Sequence, residues 1–89
     1  MISLITTLLN EKDTLPAWLA SILQQTVTPD EIIIVDGGST DGTWQWLQEQ
    51  AIIEPRLKVF QHPGNISSGR NYAFQMATGD IIVAADAGC

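Results

Sequence analysis

Four short apolar runs, separated by segments with helical periodicity, limit the folds open to this chain. The runs cover residues 2–9, 31–35, 57–60 and 80–85, and such short aliphatic runs are typical of strands buried on both faces. Apolar side chains in the first intervening segment recur at three- and four-residue steps: Leu15, Trp18, Leu19, Ile22 and Leu23. The alternation of strands and helices predicts an α/β fold with a mainly parallel sheet and flanking helices.

Capping and turn residues predict the limits of the helices. The first helix is expected to end near Gln25, and Thr40 or Asp41 is expected to cap the second. Gly79 is expected to adopt the left-handed conformation that ends the third helix.

Composition narrows the class of protein. The 89 residues carry ten acidic and four basic side chains, a formal charge of −6, and 45% are apolar, which excludes a disordered tail and a nucleic-acid-binding surface. Residues 1–89 are interpreted as one domain or part of one.

The single cysteine, Cys89, excludes a disulfide framework, and a reducing, cytoplasmic location is expected. No apolar run reaches the roughly 20 residues of a membrane span.

The predicted topology indicates where a ligand would bind. In open α/β sheets, ligands occupy the crevice outside the carboxyl ends of the strands. Asp36 and Asp86 each follow an apolar strand closely, so both are predicted to face one shared crevice. The four loops at these carboxyl ends are residues 7–11, 36–39, 61–65 and 86–89.

Common nucleotide-binding motifs are absent from these loops. The turn after the first strand reads TLLNE at residues 7–11 and has no glycine, which excludes a dinucleotide fingerprint. The phosphate-binding loop signature with its lysine is also missing, as are the paired acids of a receiver domain. His62 has no partner acid nearby in the sequence and is interpreted as an ordinary loop residue. A glycine-bearing acidic loop at residues 36–42 and the acid at position 86 remain.

Five segments of the chain, in order, resemble the N-terminal half of a family-2 glycosyltransferase. They are ISLITTLLNE at residues 2–11, TLPAWLASILQQT at 14–26, EIIIVDGGSTDGT at 31–43, GNISSGRN at 64–71 and ATGDIIVAADAG at 77–88. The resemblance implies the first half of a GT-A fold and a nucleotide-diphospho-sugar donor. It also implies transfer of the sugar, with inversion, to an acceptor that the sequence does not identify.

The resemblance also assigns residues that bind the nucleoside. By position in the motif, Thr7, Asn10 and Glu11 belong to the nucleoside-binding loop after the first strand. Asp36 stands at the first acid of the usual pair, while Gly37 replaces the second. Because the second acid often contacts the base, its replacement leaves the identity of the base open.

Two further residues are assigned to the diphosphate and its cation. Arg70 matches the family's arginine, and a guanidinium donates two parallel hydrogen bonds to a phosphate; the alternative is a surface cation. Asp86 matches the first acid of the D-x-D motif, which implies a divalent cation, Mn or Mg. The motif here reads Asp86, Ala87, Gly88, so metal use is open, and the alternative for Asp86 is a strand-end cap.

The catalytic base of an inverting transfer has no match in this sequence. The resemblance places that carboxylate, with most of the acceptor site, in the second half of the domain. Residues 1–89 are therefore interpreted as the donor-binding half, truncated after the metal-motif strand, of an enzyme whose membrane association is left open. The alternative is a non-catalytic nucleotide-binding or interaction module derived from the same fold.

Overall fold

The computed structural model describes residues 1–24, 29–64 and 66–84, with the backbone alone for residues 66 and 67. Strands and helices alternate along the described chain, as predicted from the apolar periodicity. In chain order they are β1 (Ile2–Leu8), α1 (Leu15–Leu23), β2 (Glu31–Asp36), α2 (Thr43–Ile53), β3 (Leu57–Gln61), α3 (Ile66–Met76) and β4 (Ile81–Ala84).

The four strands form one sheet in the order β3-β2-β1-β4, and every neighbouring pair is parallel. The predicted α/β class with a mainly parallel sheet is therefore confirmed. The first two crossovers move from β1 toward β3, whereas the third returns across the sheet to β4. The chain thus changes direction between β1 and β4, which is the position where ligands bind in sheets of this kind.

The sheet is covered on both faces, which explains the continuous apolar run of β2. Ile32 and Ile34 pack under α1 and α2, while Ile33 and Val35 pack under α3. All four side chains are at most 1% exposed. A strand that alternated apolar and polar residues would have placed polar groups in one of these two cores.

The end of α3 corrects one prediction. The helix ends at Met76, and the left-handed glycines of the described residues are Gly38, Gly42 and Gly64, so the left-handed cap predicted at Gly79 is wrong. Gly79 instead lies against β1, where its amide donates to Ser3 Oγ at 2.9 Å. A Cβ atom there would lie 2.8 Å from the carbonyl oxygen of Met1. The glycine is required for space rather than for its backbone angles.

The start of α2 corrects a second prediction. Gly42, with a φ of 96°, is the N-cap, so the prediction of Thr40 or Asp41 is wrong by one or two residues. Asp41 nevertheless accepts hydrogen bonds from the Thr43 amide, at 3.0 Å, and from the Thr43 hydroxyl. The hydroxyl contact is the main reason that the pKa of Asp41 is lowered. The predicted end of the first helix near Gln25 falls outside the described residues.

The edge strand β4 is the least covered part of the sheet. Ile81 and Val83 are 57% and 44% exposed and pair with Ile2 and Leu4. Since Leu4 belongs to the core under α1 and α2, these two side chains point to that same face. None of the helices in the described ranges is both long and apolar enough to span a bilayer.

Candidate functional site at the carboxyl edge of the sheet

Asp36, the last residue of β2, is wholly buried at the carboxyl edge of the sheet. Its Oδ1 atom accepts hydrogen bonds from the amides of Gly38, at 2.8 Å, and Ser39, at 2.7 Å. Its Oδ2 atom is also buried but has no partner among the described residues. An unpartnered buried carboxylate oxygen is costly, so an N–H or O–H donor that reached Oδ2 would relieve this cost.

The loops after β1 and β2 are joined through Asn10. Its amide donates to Ser39 Oγ at 2.8 Å, and its side-chain Oδ1 accepts from the Thr40 amide at 2.8 Å. Asn10 has a φ of 53°, a left-handed conformation that asparagine tolerates better than most residues. The side-chain Oδ1 atom of Asn10 thus holds the two loops together. The side-chain Nδ2 atom is the group suited to a ligand.

Replacing Asn10 by alanine is expected to lower the free energy of unfolding by about 1 kcal/mol, from the lost hydrogen bond and the left-handed backbone. Asn10→Gly is the matched control, because it loses the same side chain but accepts the left-handed φ. Chemical denaturation of the two variants measures the difference. Equal stability of the wild type and Asn10→Ala would contradict a role in joining the loops.

The other predicted residues of the first loop have structural contacts. Thr7 lies against α3, where its Cγ2 atom is 3.2 Å from the position of a Cβ at Gly69. Glu11 accepts a hydrogen bond from the Thr14 hydroxyl at 3.0 Å, just before α1 begins. Their assignment to the nucleoside remains a prediction.

Arg70 is brought to the same edge by the close packing of α3. A Cβ at the preceding residue, Gly69, would lie 3.2 Å from Thr7 Cγ2 and 3.7 Å from Val35 Cγ1, and these are the penultimate residues of β1 and β2. Arg70 is exposed. The structure therefore places Asp36, Asn10, Thr7 and Arg70 at one edge of the sheet, while Asp86 falls outside the described residues.

The loop after β3 contributes contacts that sequence analysis missed. His62 lies in this loop, as predicted, but its ring stacks on Tyr72 with centroids 4.8 Å apart and an interplanar angle of 13°. Its Nε2 atom shares a 2.9 Å hydrogen bond with Ser68 Oγ. The spacing of Ser68 and Tyr72, four residues apart on one helix face, is the sequence signal that could have indicated a shared partner.

Glu31 forms a second polar cluster, at the opposite, amino edge of the sheet. Its carboxylate accepts hydrogen bonds from Ser3 Oγ at 2.8 Å, Lys58 Nζ at 2.5 Å, and the Thr78 amide and hydroxyl at 2.9 Å each. Burial alone would raise the pKa of Glu31, but these hydrogen bonds together lower it to about 2. The cluster joins β1, β2, β3 and the end of α3 far from Asp36, so its role is structural.

The described residues contain no candidate metal site. Within the described ranges, no three or more histidine, cysteine, aspartate or glutamate side chains lie together in a way that could hold an ion. The predicted metal ligand, Asp86, is outside those ranges. The described side chains therefore do not by themselves fit a divalent cation.

Comparison with known proteins identifies the family. Residues 3–89 match the family model described as glycosyl transferase family 2. Over 88 residues the chain is 33% identical to TuaG of Bacillus subtilis, named as a glycosyltransferase of teichuronic acid biosynthesis, covering 97% of this chain and 35% of TuaG. Two solved structures superpose closely on this chain.

The first is the mannosyltransferase PcManGT from Pyrobaculum calidifontis, in complex with GDP-Man and Mn²⁺, with a TM-score of 0.83, 28% identity, and coverage of 96% of this chain and 26% of that one. The second is S. aureus TarS, with a TM-score of 0.80, 28% identity, and coverage of 96% and 16%. This chain thus spans about a third of TuaG and less of the other two. The chain belongs to glycosyl transferase family 2, and its described residues form a parallel α/β unit of the GT-A fold.

Proposed function

We propose that this chain binds the nucleotide-diphospho-sugar donor of a family-2 glycosyltransferase. In the proposal, the complete protein transfers the sugar with inversion to an acceptor. The observation that carries the donor-binding role is the Oδ2 atom of Asp36, buried without a partner among the described residues at the carboxyl edge of the sheet.

The chemistry of Asp36 selects the part of the donor that it binds. An ionised carboxylate only accepts hydrogen bonds, so its partner must present an N–H or O–H group, as a base edge or a ribose does. A phosphate is excluded as a direct partner because both groups are anionic. The nucleoside end of the donor is therefore assigned to Asp36.

The surroundings of Asp36 support a flat, partly apolar ligand. Gly37 has no side chain, and a Cβ there would lie 3.5 Å from the Leu8 carbonyl oxygen and 3.9 Å from Leu9 Cδ1, both ordinary contacts. Leu9 is 53% exposed. The exposed leucine beside this glycine offers an apolar surface against which one face of a base can pack.

Arg70 is assigned to the diphosphate. The chain is acidic overall, with four lysine and arginine residues, so a local cation would favour the binding of an anionic ligand. Arg70 follows Gly69, which is buried against Thr7 and Val35 near the carboxyl ends of β1 and β2. Its guanidinium fork suits two phosphate oxygens.

A divalent cation, Mn or Mg, bound through Asp86, also belongs to the proposal. Its support is the Mn²⁺ in the complex of PcManGT. When bound, such a cation would neutralise charge on the departing diphosphate. No step proposed for the described residues depends on it, and the base that accepts the proton of the acceptor is not assigned to any of them.

Calorimetric titration of the protein with UDP and GDP, with and without Mn²⁺, tests donor binding. We expect saturable binding of at least one nucleotide, and loss of roughly ten- to a hundredfold in affinity in Asp36→Ala, because a hydrogen bond to a charged group contributes about 1.5 to 3 kcal/mol. Wild-type protein that binds neither nucleotide, or a variant with unchanged affinity, would refute the proposal.

A further inference from the structure

We infer that His62 is a positioning residue that orients α3, and with it Arg70, relative to Asp36. The inference rests on the proposed function, in which Asp36 binds the nucleoside and Arg70 the diphosphate. His62 thereby helps to set the distance between Asp36 and Arg70, the two residues that bind the two ends of one ligand.

The backbone of His62 is fixed directly to Asp36. Its amide donates to the carbonyl oxygen of Asp36 at 2.9 Å, which extends the pairing of β2 and β3 by one residue. The next residue, Pro63, lies 4.0 Å from the position of a Cβ at Gly38. The loop after β3 therefore lies beside the loop whose amides hold the Asp36 carboxylate.

The ring of His62 is fixed to α3 on two sides. Nε2 shares the 2.9 Å hydrogen bond with Ser68 Oγ, and one ring face stacks on Tyr72 at 4.8 Å. Tyr72 in turn meets Phe60 edge to face, with centroids 5.8 Å apart at 71°. Because Phe60 and His62 flank the end of β3, these contacts attach one flank of the helix to that strand.

Helical geometry relates this flank to Arg70. Successive residues of an α-helix differ by about 100° around its axis, so with Gly69 facing the sheet, Ser68 and Tyr72 lie on one flank and Arg70 on the other. The contacts of His62 therefore add to the packing of Gly69 in fixing the rotation of α3 about its axis, and this rotation sets the direction in which the exposed Arg70 side chain extends. Loss of the His62 ring would loosen Arg70 without altering the Asp36 carboxylate.

The test compares ligands with and without phosphates. The affinities of the protein for UDP and uridine, and for GDP and guanosine, are measured by NMR titration for the wild type, His62→Ala, His62→Gln and Tyr72→Phe. His62→Ala is expected to lower the affinity for the diphosphate about tenfold, the equivalent of one charge-assisted hydrogen bond, and to leave the nucleoside affinity within about twofold.

The remaining variants separate orientation from general loss of structure. His62→Gln can still reach Ser68 through its amide and should lose less affinity for the diphosphate than His62→Ala. Tyr72→Phe keeps the stacked ring and should match the wild type. An equal fall for nucleoside and diphosphate, or no fall for either, would overturn the role of His62 alone. If the wild type binds none of the four ligands, the proposed function fails and the inference fails with it.

Discussion

Replacing Glu31 by alanine is expected to lower the free energy of unfolding by roughly 2 to 3 kcal/mol, because a buried polar group left without its partner costs about 1 to 3 kcal/mol, while the ion pair with the half-exposed Lys58 adds about 1 kcal/mol or less. The substitution leaves the Ser3 hydroxyl and the Thr78 amide without their acceptor. It also removes the partner of Lys58. For a chain of this length, we expect the Tm to fall by on the order of 15 °C.

The same carboxylate makes the fold sensitive to acid. The pKa of Glu31 is about 2 in the folded chain, against an ordinary value of 4.5. Because the folded value is the lower one, the stabilisation is complete above about pH 5 and is lost as the pH falls toward 2, with a total of at most about 3 kcal/mol. Glu31→Gln should be less stable than the wild type at pH 7 and equal to it near pH 2.

Urea denaturation at a series of pH values measures both effects. Glu54→Gln is the matched control, because Glu54 pairs with Arg56 two residues away at a site that solvent partly reaches, and such pairs contribute about 1 kcal/mol or less. The hydrogen bond from Arg56 also lowers the pKa of Glu54, so a smaller pH dependence is expected for this control. If Glu31→Gln and Glu54→Gln showed the same pH dependence, the cluster around Glu31 would not be the source of the acid sensitivity.

Replacing Gly79 by alanine is expected to destabilise the protein by about 3 kcal/mol, near the upper limit for overpacking a close contact. The added Cβ would lie 2.8 Å from the Met1 carbonyl oxygen and 3.0 Å from the Ser3 amide nitrogen, and it would also overlap Ser3 Oγ. The backbone of Met1 and Ser3 cannot move away without disturbing the hydrogen bonds that the Met1 carbonyl accepts from Asp80 and Ile81 and the pairing of β1 with β4.

Gly37→Ala is the matched control for Gly79→Ala. A Cβ at Gly37 would make contacts no shorter than 3.5 Å, and its φ is not left-handed. This change should be neutral or stabilise by about 0.5 kcal/mol, because alanine has fewer unfolded conformations. Thermal unfolding of both variants measures the contrast, and equal melting temperatures would contradict the packing described for Gly79.

Sequence periodicity predicted the strands and helices of this fold because burial on both faces leaves continuous apolar runs. It also placed Asp36 correctly at the carboxyl edge of the sheet, since a residue that follows a buried parallel strand must lie there. Gly79 was assigned the wrong role because a glycine required for space and one required for a left-handed φ are identical in a sequence. Which of the two roles Gly79 has depends on the position of β1, which is remote from Gly79 in the sequence but adjacent to it in the fold.

The polar contacts around the site were also beyond sequence analysis. Ser39 and Asn10 are 29 residues apart in the sequence, and only the pairing of β1 with β2 brings them together. The contacts of Glu31 likewise depend on strand pairing, because its partners Ser3, Lys58 and Thr78 are 28, 27 and 47 residues away in the sequence. The order β3-β2-β1-β4, which puts α3 on the opposite face from α1 and α2, decides which loops meet.

The central claim, that Asp36 Oδ2 accepts a hydrogen bond from the nucleoside, is tested most directly by Asp36→Asn. In the wild type the amides of Gly38 and Ser39 donate to Oδ1, and the asparagine keeps a carbonyl oxygen at that position. In place of Oδ2, however, the asparagine presents an N–H donor. Glu54→Gln removes the same charge far from the site.

The affinity for UDP and GDP is measured for these two variants and the wild type, with the amide resonances of Gly38 and Ser39 as the check that the loop is intact. The account predicts a loss of roughly tenfold or more in Asp36→Asn, none in Glu54→Gln, and unchanged resonances. Wild-type affinity in Asp36→Asn with an intact loop would contradict it.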